Sequence, residues 1–261
     1  MQIVTDSGMD LYLPPEEMPD MELHIVRHAI TLERKTYKSG VDIQSTELYQ
    51  LLKDTGGFPI TSQPSAGDFA EVYRKLAATD PDILSIQMSS GLSGTVNAAQ
   101  AGAAMVPEAN VTIVDSKTLS GALGWQVSAA ARAIKAGWSK ERIVALLNRI
   151  GAVSDSIYTL EDLKYLVHGG RISHMKGLIA SALKIKPLIG VAKDIGNYEQ
   201  LGMARTFNGA LKGLVKLMTK KHAPGTPLRV QVIHALNPEG ADILREEADK
   251  IDWHTPFSQV L

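Results

Sequence analysis

The sequence has no cysteine, no excess of either charge and no long apolar run. Without cysteine the chain can form no disulfide, no thiolate metal site and no cysteine nucleophile. Its 27 basic residues nearly balance its 28 acidic residues, so a basic surface for nucleic acid or for an anionic membrane is not indicated. No apolar stretch approaches the roughly 20 residues that a membrane-spanning helix needs. Residues 2–7 have the pattern of a strand and its exit loop rather than of a signal peptide, and we therefore predict a cytoplasmic protein without stable membrane insertion.

Apolar segments of strand length alternate with segments of helix length through the first half of the chain. Ser65 followed by Asp68 has the form of a capping box, which predicts that a helix begins there. Residues 36–40 are typical of a turn. The alternation predicts βαβ units around a parallel sheet. The other predicted helices cover residues 46–53, 95–105, 120–136 and 139–150, and the predicted strands cover 1–5, 23–30, 82–88 and 111–114.

The second half of the chain has a different pattern. Residues 187–192 and 198–201 flank a turn and predict a β-hairpin, which indicates a mixed sheet. We predict an α/β protein of two domains. Residues 1–152 form a parallel-sheet α/β/α domain that carries the Ser- and Thr-rich ligand loops, and residues 153–261 form an α/β domain with a mixed sheet. Further helices are predicted over 160–167, 174–182, 206–222 and 238–250, and strands over 154–159, 228–234 and up to 261.

Ser- and Thr-rich segments follow several of the predicted strands. They are Asp6-Ser7, Thr61-Ser62, residues 89–95 and Asp115-Ser116. Ligands of parallel α/β sheets bind beyond the carboxyl ends of the strands, where such segments meet. We therefore expect the loops around Thr61 and Ser93 to follow neighbouring parallel strands and to face one crevice.

The segment Ser89-Ser90-Gly91-Leu92-Ser93-Gly94-Thr95 lies between a predicted strand and a predicted helix. Its hydroxyls and the N–H groups of the first helical turn favour a bound anion. It lacks the spacing and the lysine of a phosphate loop, G-x-x-x-x-G-K-[ST]. Residues 91–94 match the nucleophile elbow G-x-S-x-G until Thr95 stands in place of the last glycine.

Three functional hypotheses follow from this segment. In the first, hydroxyls and amides of the segment hold a carboxylate. In the second, Ser93 is the nucleophile of a serine hydrolase. In the third, the chain is a regulatory module that binds another small carboxylate or phosphate. A simple helix cap is the structural alternative. The seven histidines show no metal-ligand spacing such as H-E-x-x-H, so no metal site is predicted. Arg171, in Gly169-Gly170-Arg171, and Arg205 are either solvated charges or contacts for an anion or a partner protein.

Five segments, in their order along the chain, resemble the DegV family, the fatty-acid-binding subunits of bacterial fatty acid kinase. The resemblance covers nearly the whole chain, and the ordered combination is specific although each piece alone is not. The segments are Thr5-Asp6-Ser7, residues 61–65, residues 89–95, Val114-Asp115-Ser116, and Leu166 with residues 169–172.

The resemblance implies a protein that encloses one long-chain fatty acid in an apolar tunnel covered by the C-terminal domain. Thr61 and Ser93 match the family's carboxylate-binding pair, and Ser62 and Gly94 match the neighbours whose backbone completes the site. The family protein is a carrier rather than a catalyst and needs no cofactor besides its fatty acid ligand. It presents the carboxylate to a separate ATP-dependent kinase subunit, which makes an acyl phosphate for phospholipid metabolism.

The resemblance also concerns the two arginines and the end of the chain. Arg171 and Arg205 match basic positions near the opening of the fatty acid tunnel. The resemblance also implies that Arg205 helps to bind the kinase. Family members usually continue beyond the final strand into a His- and Gly-rich segment whose histidine lies near the carboxylate. This sequence ends at Leu261 without that segment. Either the sequence is truncated or that part of the site is missing, and in the second case we expect weaker carboxylate binding. We place no histidine in the predicted site.

Overall fold

The computed structural model describes residues 1–11, 22–181, 185–251 and 258–260. In this part of the chain the strands are β1 (Gln2–Asp6), β2 (Leu23–Val26), β3 (Ala29–Leu32), β4 (Lys35–Lys38), β5 (Ile60–Ser62), β6 (Asp82–Gln87), β7 (Asn110–Asp115), β8 (Ile157–Tyr158), β9 (Lys186–Val191), β10 (Tyr198–Ala204), β11 (Val230–Val232) and β12 (Ser258–Val260). The helices are α1 (Ser45–Thr55), α2 (Ala66–Ala77), α3 (Thr95–Ala104), α4 (Ser120–Lys135), α5 (Lys140–Val153), α6 (Lys164–His168), α7 (Lys176–Ser181), α8 (Phe207–Lys221) and α9 (Pro238–Asp249).

The chain divides into two compact units whose segments alternate along the sequence. A division into domains at residues 152 and 153 alone remains a prediction. The first unit comprises Met1–Ser45, Pro59–Ser156 and Val191–Asn197, and the second comprises Thr46–Phe58, Ile157–Gly190 and Tyr198–Leu261.

The first unit is built on a parallel sheet in the order β2-β1-β6-β7. Its central strands β1 and β6 are nearly continuous runs of buried side chains, as expected of strands that are covered on both faces. The register places Ile3 opposite both Leu23 and Leu84, so the carboxyl ends of the strands lie at one edge. The predicted parallel sheet is confirmed.

Helices cover both faces of this sheet. On one face α2 and α3 enclose a cluster that includes Val4, Phe69 and Tyr73. On the other face α4 and α5 pack against a cluster that includes Ile3 and Leu84. The capping box at Ser65 is confirmed, because the Ser65 hydroxyl accepts the Asp68 N–H while the Asp68 carboxylate accepts the Ser65 N–H. The α/β class and the α/β/α layering of the first unit follow from these packings.

Two sequence-based predictions in this region are wrong. The strand predicted over residues 23–30 is two strands, because the chain leaves the parallel sheet after Val26 and β3 joins a separate sheet. The turn predicted over residues 36–40 is mostly β4, which pairs antiparallel with β3. The turn lies earlier, at Glu33, whose φ of 57° is in the left-handed region.

The second unit contains both antiparallel and parallel strand pairs. A three-stranded sheet has the order β10-β9-β8, and β8 pairs antiparallel with β9. Strands β11 and β12 form a parallel pair. The predicted hairpin is present, because β9 and β10 are neighbours in the sheet and Ala192 N–H donates to the Asn197 carbonyl (2.9 Å) at its turn. Within the described residues, no helix combines the length and apolar character needed to cross a membrane.

Candidate functional site

The loop after β6 leads directly into the first turn of α3. The N–H groups of Leu92 and Ser93 donate to the Ser89 carbonyl at 3.0 and 3.1 Å, which folds the loop tightly. Gly94 occupies the N-cap position of α3 and, as a glycine, has no side chain that could cap the helix. The positive end of the helix dipole and the N–H groups of its first turn therefore lack the acceptor that an N-cap side chain usually supplies. This geometry suits a bound anion.

The three serines of the loop have different partners. Ser89 is fully buried, and its hydroxyl donates to the Gly196 carbonyl at 2.9 Å. The Ser90 hydroxyl donates to Asp115 Oδ2 at 2.5 Å. Ser93 Oγ lies 2.7 Å from Thr95 Oγ1, on the half-buried side of the loop. Ser89 and Ser90 thus anchor the loop, which leaves Ser93 as the hydroxyl available to a ligand.

A chain of hydrogen bonds continues from Ser93 into the protein. Thr95, which is fully buried, lies with its Oγ1 3.2 Å from His28 Nε2. His28 Nδ1 lies 2.9 Å from Ser7 Oγ, and the His28 backbone N–H donates to the same oxygen at 2.9 Å. These four side chains come from three strand ends and one helix start. The parallel sheet brings them together.

Asp6 fixes the ends of β1 and β6 relative to each other. Its carboxylate is fully buried and accepts the N–H of Gly8 at Oδ1 and the N–H of Met88 at Oδ2, both at 2.7 Å. Burial raises the pKa of the Asp6 carboxyl above its ordinary value, whereas the Met88 N–H, the His28 imidazole and the Gly8 N–H oppose that rise.

Thr61 and Ser62 do not follow a parallel strand, so that prediction is wrong. Both residues are exposed and belong to β5, which pairs antiparallel with β3 in a three-stranded sheet of order β4-β3-β5. Thr61 is opposite Ile30, so its side chain lies on the same face as that buried residue. The placement of Thr61 is therefore set by the small sheet.

The segment after β5 nevertheless reaches the Ser93 loop. A Cβ atom at Gly94 would overlap the Gln63 amide oxygen, so the Gln63 side chain lies directly against Gly94. The φ of Gly94 is −75°, which any residue can adopt. Glycine is required here for space rather than for conformation, and its absent side chain lets the two loops approach each other.

Asp115 holds the Ser90 end of the loop. Besides the Ser90 hydroxyl, it accepts the Ser90 N–H at 3.2 Å and pairs with Lys117 Nζ at 2.9 Å. Burial by itself raises the pKa of this carboxyl, but the hydrogen bonds from Ser90 and Lys117 outweigh burial and hold the pKa below its ordinary value of 3.8.

The lowered pKa of Asp115 predicts a pH-dependent contribution to stability. Asp115→Asn should lower the free energy of unfolding by about 1–2 kcal/mol at pH 7, because charge-assisted hydrogen bonds are lost. A depressed pKa stabilises the folded state above the unfolded-state value, near 3.8, and that contribution disappears as the pH falls through the folded-state value. Denaturant unfolding of both proteins at pH 7 and at steps below pH 4 measures the difference, which should shrink on acidification. A difference that grows would contradict the assignment.

Asp115 and Ser116 also border a separate cavity of about 410 Å³. Other residues that line it are Thr118, Gln126 and Lys193, whereas Ser93 and Thr61 do not. The Ser- and Thr-rich segments predicted to meet at one crevice are therefore distributed over two places in the first unit.

A family model described as "Uncharacterised protein, DegV family" matches residues 1–260. The chain belongs to the DegV family. The DegV domain-containing protein of Deinococcus radiodurans is 34% identical over 245 residues, which are 94% of this chain and 83% of that protein.

Solved structures of DegV-family proteins share the fold. One match is a DegV-family protein from Thermus thermophilus that is described as binding fatty acid. It has a TM-score of 0.84 at 28% identity, and the match covers 99% of this chain and 91% of that chain. The match to Bacillus subtilis DegV, described as a fatty acid binding protein, has a TM-score of 0.84 at 29% identity, with the same coverage of 99% and 91%.

The two arginines implied by the DegV resemblance belong to the second unit. Arg171 is exposed and donates to the Gly169 carbonyl at 2.6 Å, in the turn where Gly170 has a φ of 76°. Arg205 is exposed in the bend between β10 and α8. Their contact with a ligand or a partner remains a prediction.

Sequence reasoning missed His28 in this DegV-family chain. The residue lies inside one predicted strand, 23–30, where no local pattern marks it as a loop residue at a carboxyl end. Its position two residues after Val26, where the apolar run ends, is the available signal. The described residues hold no group of three or more His, Asp or Glu side chains suited to a metal ion.

Proposed function

We propose that this chain binds one long-chain fatty acid and holds the carboxylate at Ser93 and the first turn of α3. The observation that carries the proposal is the Ser93 hydroxyl beside the N-terminus of a helix whose N-cap residue, Gly94, has no capping side chain. Two structural relatives at 28% and 29% identity, both described as binding fatty acids, support it. Thr61 is proposed as the second hydroxyl, and the backbone of Ser62 and Gly94 as further contacts.

A neutral site of this kind suits a carboxylate that must react later. Burying a carboxylate is costly unless hydrogen bonds satisfy it, and hydroxyl and N–H donors can do so without an ion pair. A bidentate arginine would occupy both carboxylate oxygens. Hydroxyl donors leave an oxygen able to attack a phosphoryl donor.

The finer part of the proposal concerns the use of the bound fatty acid. The chain acts as a carrier in the cytoplasm and presents the carboxylate to a separate ATP-dependent kinase subunit, which forms an acyl phosphate for phospholipid metabolism. Exposed Arg171 and Arg205 are proposed as contacts with the ligand or the kinase. The chain itself supplies no catalytic residue in this scheme.

The geometry at Ser93 favours binding over hydrolysis. A serine nucleophile needs a general base in hydrogen-bond contact with its hydroxyl. Among the described residues, the partner of Ser93 Oγ is the Thr95 hydroxyl, and His28 is one residue further along the chain of hydrogen bonds. Turnover of a simple ester that Ser93→Ala abolishes would establish the hydrolase instead.

The binding proposal predicts a loss of affinity in Ser93→Ala. A hydrogen bond to a charged group contributes about 1.5–3 kcal/mol, so the Kd for a long-chain fatty acid should rise about 10- to 100-fold. Mass spectrometry of the intact protein from a bacterial host should show bound fatty acid, and fluorescence titration of the delipidated protein measures the Kd. Ser139→Ala is the matched control, because it also removes a serine hydroxyl but lies at the N-cap of α5, outside the Ser93 loop.

Two results would contradict the proposal. Wild-type protein that carries no fatty acid and binds none would exclude the binding role. Equal affinity of Ser93→Ala and Ser139→Ala would exclude the carboxylate position. For the finer role, acyl-phosphate formation with a bacterial kinase subunit should fall in Ser93→Ala at saturating fatty acid, and full activity would contradict carboxylate presentation.

A further inference from the structure

We infer that His28 is a positioning residue which, through Thr95, directs the Ser93 hydroxyl proton toward the ligand. The inference rests on the proposed function, because the ligand that benefits is the bound carboxylate. The hydrogen-bonded chain is Ser7, His28, Thr95 and Ser93, with separations of 2.9, 3.2 and 2.7 Å. It extends from the end of β1 to the start of α3.

Ser7 determines the direction in which the hydrogen bonds of this series are donated. Its Oγ accepts the backbone N–H of His28, which uses one lone pair of that oxygen. The hydroxyl proton of Ser7 still needs an acceptor. In the described part of the chain, the acceptor within hydrogen-bond distance of that proton is His28 Nδ1. Donation from Ser7 to Nδ1 satisfies both groups.

The donation from Ser7 to Nδ1 determines which group donates in each of the remaining hydrogen bonds. A neutral imidazole that accepts at Nδ1 carries its proton at Nε2, and Nε2 then donates to Thr95 Oγ1. Thr95 is fully buried, so its hydroxyl proton needs an acceptor, and Ser93 Oγ lies within reach at 2.7 Å. The Ser93 hydroxyl proton is then not used within this series of hydrogen bonds. Ser93 is half-buried, so the chain ends where a ligand can accept that proton.

The opposite direction fits the structure less well. It would place the imidazole proton on Nδ1, give Ser7 Oγ two donors and leave the Ser7 proton without an acceptor among the described residues. It would also present the Ser93 lone pairs to the carboxylate, which repels them. A doubly protonated imidazole still donates from Nε2 to Thr95. Only the neutral Nδ1–H form reverses the chain.

Two amide substitutions distinguish positioning from packing. The Gln side-chain nitrogen reaches the position of imidazole Nε2, whereas the Asn side chain ends near Nδ1. We expect His28→Asn to raise the fatty acid Kd about fivefold and His28→Gln to stay within about twofold of wild type, as for one hydrogen bond. Equal losses in both variants would indicate a packing role, and wild-type affinity in both would exclude any role. Either result overturns the inference.

A double-mutant cycle tests whether His28 acts through Thr95. Thr95→Val removes the hydroxyl but keeps the branched shape, and it should weaken binding about as much as His28→Asn. If both residues act along one chain, the double variant should be no weaker than either single variant. Additive losses would overturn the inference.

The imidazole tautomer provides a test that needs no fatty acid. Two-bond proton–nitrogen NMR of the delipidated wild-type protein should show His28 protonated at Nε2 and unprotonated at Nδ1 at neutral or higher pH. The neutral Nδ1–H tautomer would overturn the inference even if fatty acid binds normally. The Nε2–H tautomer in a protein that binds no fatty acid would instead refute the proposed function and leave the orientation of Ser93 intact.

Discussion

Asp6→Ala should lower the free energy of unfolding by about 3 kcal/mol. The substitution leaves the N–H groups of Gly8 and Met88 without their acceptor, and each such loss costs about 1–3 kcal/mol. Burial of the carboxylate, which raises its pKa, offsets part of that cost in the wild-type protein. Denaturant unfolding at pH 7 measures the change.

The matched control for Asp6 lies at the other end of the same sheet. Asp82 is the first residue of β6 and is exposed, and its carboxylate accepts the Asn110 side-chain amide at 2.6 Å. Asp82→Ala should cost less than about 1 kcal/mol, because water replaces the lost contact. Similar losses at both positions would show that the buried backbone contacts of Asp6 do not account for its effect.

Gly196→Ala should destabilise the protein by about 3–5 kcal/mol and weaken the proposed fatty acid binding. Gly196 has a φ of 72°, which costs an alanine about 1–2 kcal/mol. The added Cβ would also overlap Ser89 Oγ. Moving Ser89 breaks its hydrogen bonds with the Gly196 carbonyl and the Gly91 N–H, which costs a further 2–3 kcal/mol or so. Thermal unfolding and fatty acid titration test both effects.

A substitution at Gly137 distinguishes the backbone cost at Gly196 from the cost of the overlap with Ser89. Its φ is also 72°, but a Cβ there would meet nothing within 4 Å. Gly137→Ala should therefore show the backbone cost alone, about 1–2 kcal/mol, with unchanged fatty acid affinity. If Gly196→Ala were no worse than Gly137→Ala, the hairpin turn would not be what holds the Ser89 loop in place.

Local sequence patterns predicted the strand, loop and helix around Ser93 well. Predicted strand 82–88 and helix 95–105 correspond to β6 and α3, with ends that agree within one residue. A continuous apolar run identifies a strand covered on both faces, and the Ser/Gly segment after it breaks that pattern. The capping box at Ser65 is equally local, because its two partners are three residues apart.

Contacts between distant segments were not predictable in the same way. Thr61 lies in a strand whose partner, β3, is about 30 residues earlier and was merged with β2 in the sequence-based prediction. A short strand of three residues has no periodicity long enough to show which sheet it joins. His28 was overlooked for the same reason, since its significance comes from Ser7 and Thr95, which are far from it in sequence.

The sequence by itself determined the α/β class and the alternation of strands and helices around a parallel sheet, because each depends on residues that are close along the chain. For the same reason it led to the proposed anion site at Ser93. The tertiary structure alone decided which serine is left for a ligand. Ser89 and Ser90 are committed to Gly196 and Asp115, whereas Ser93 ends a chain that begins at Ser7. The physical reason is that a hydroxyl's role depends on which donors and acceptors surround it, and folding brings these from separate strands.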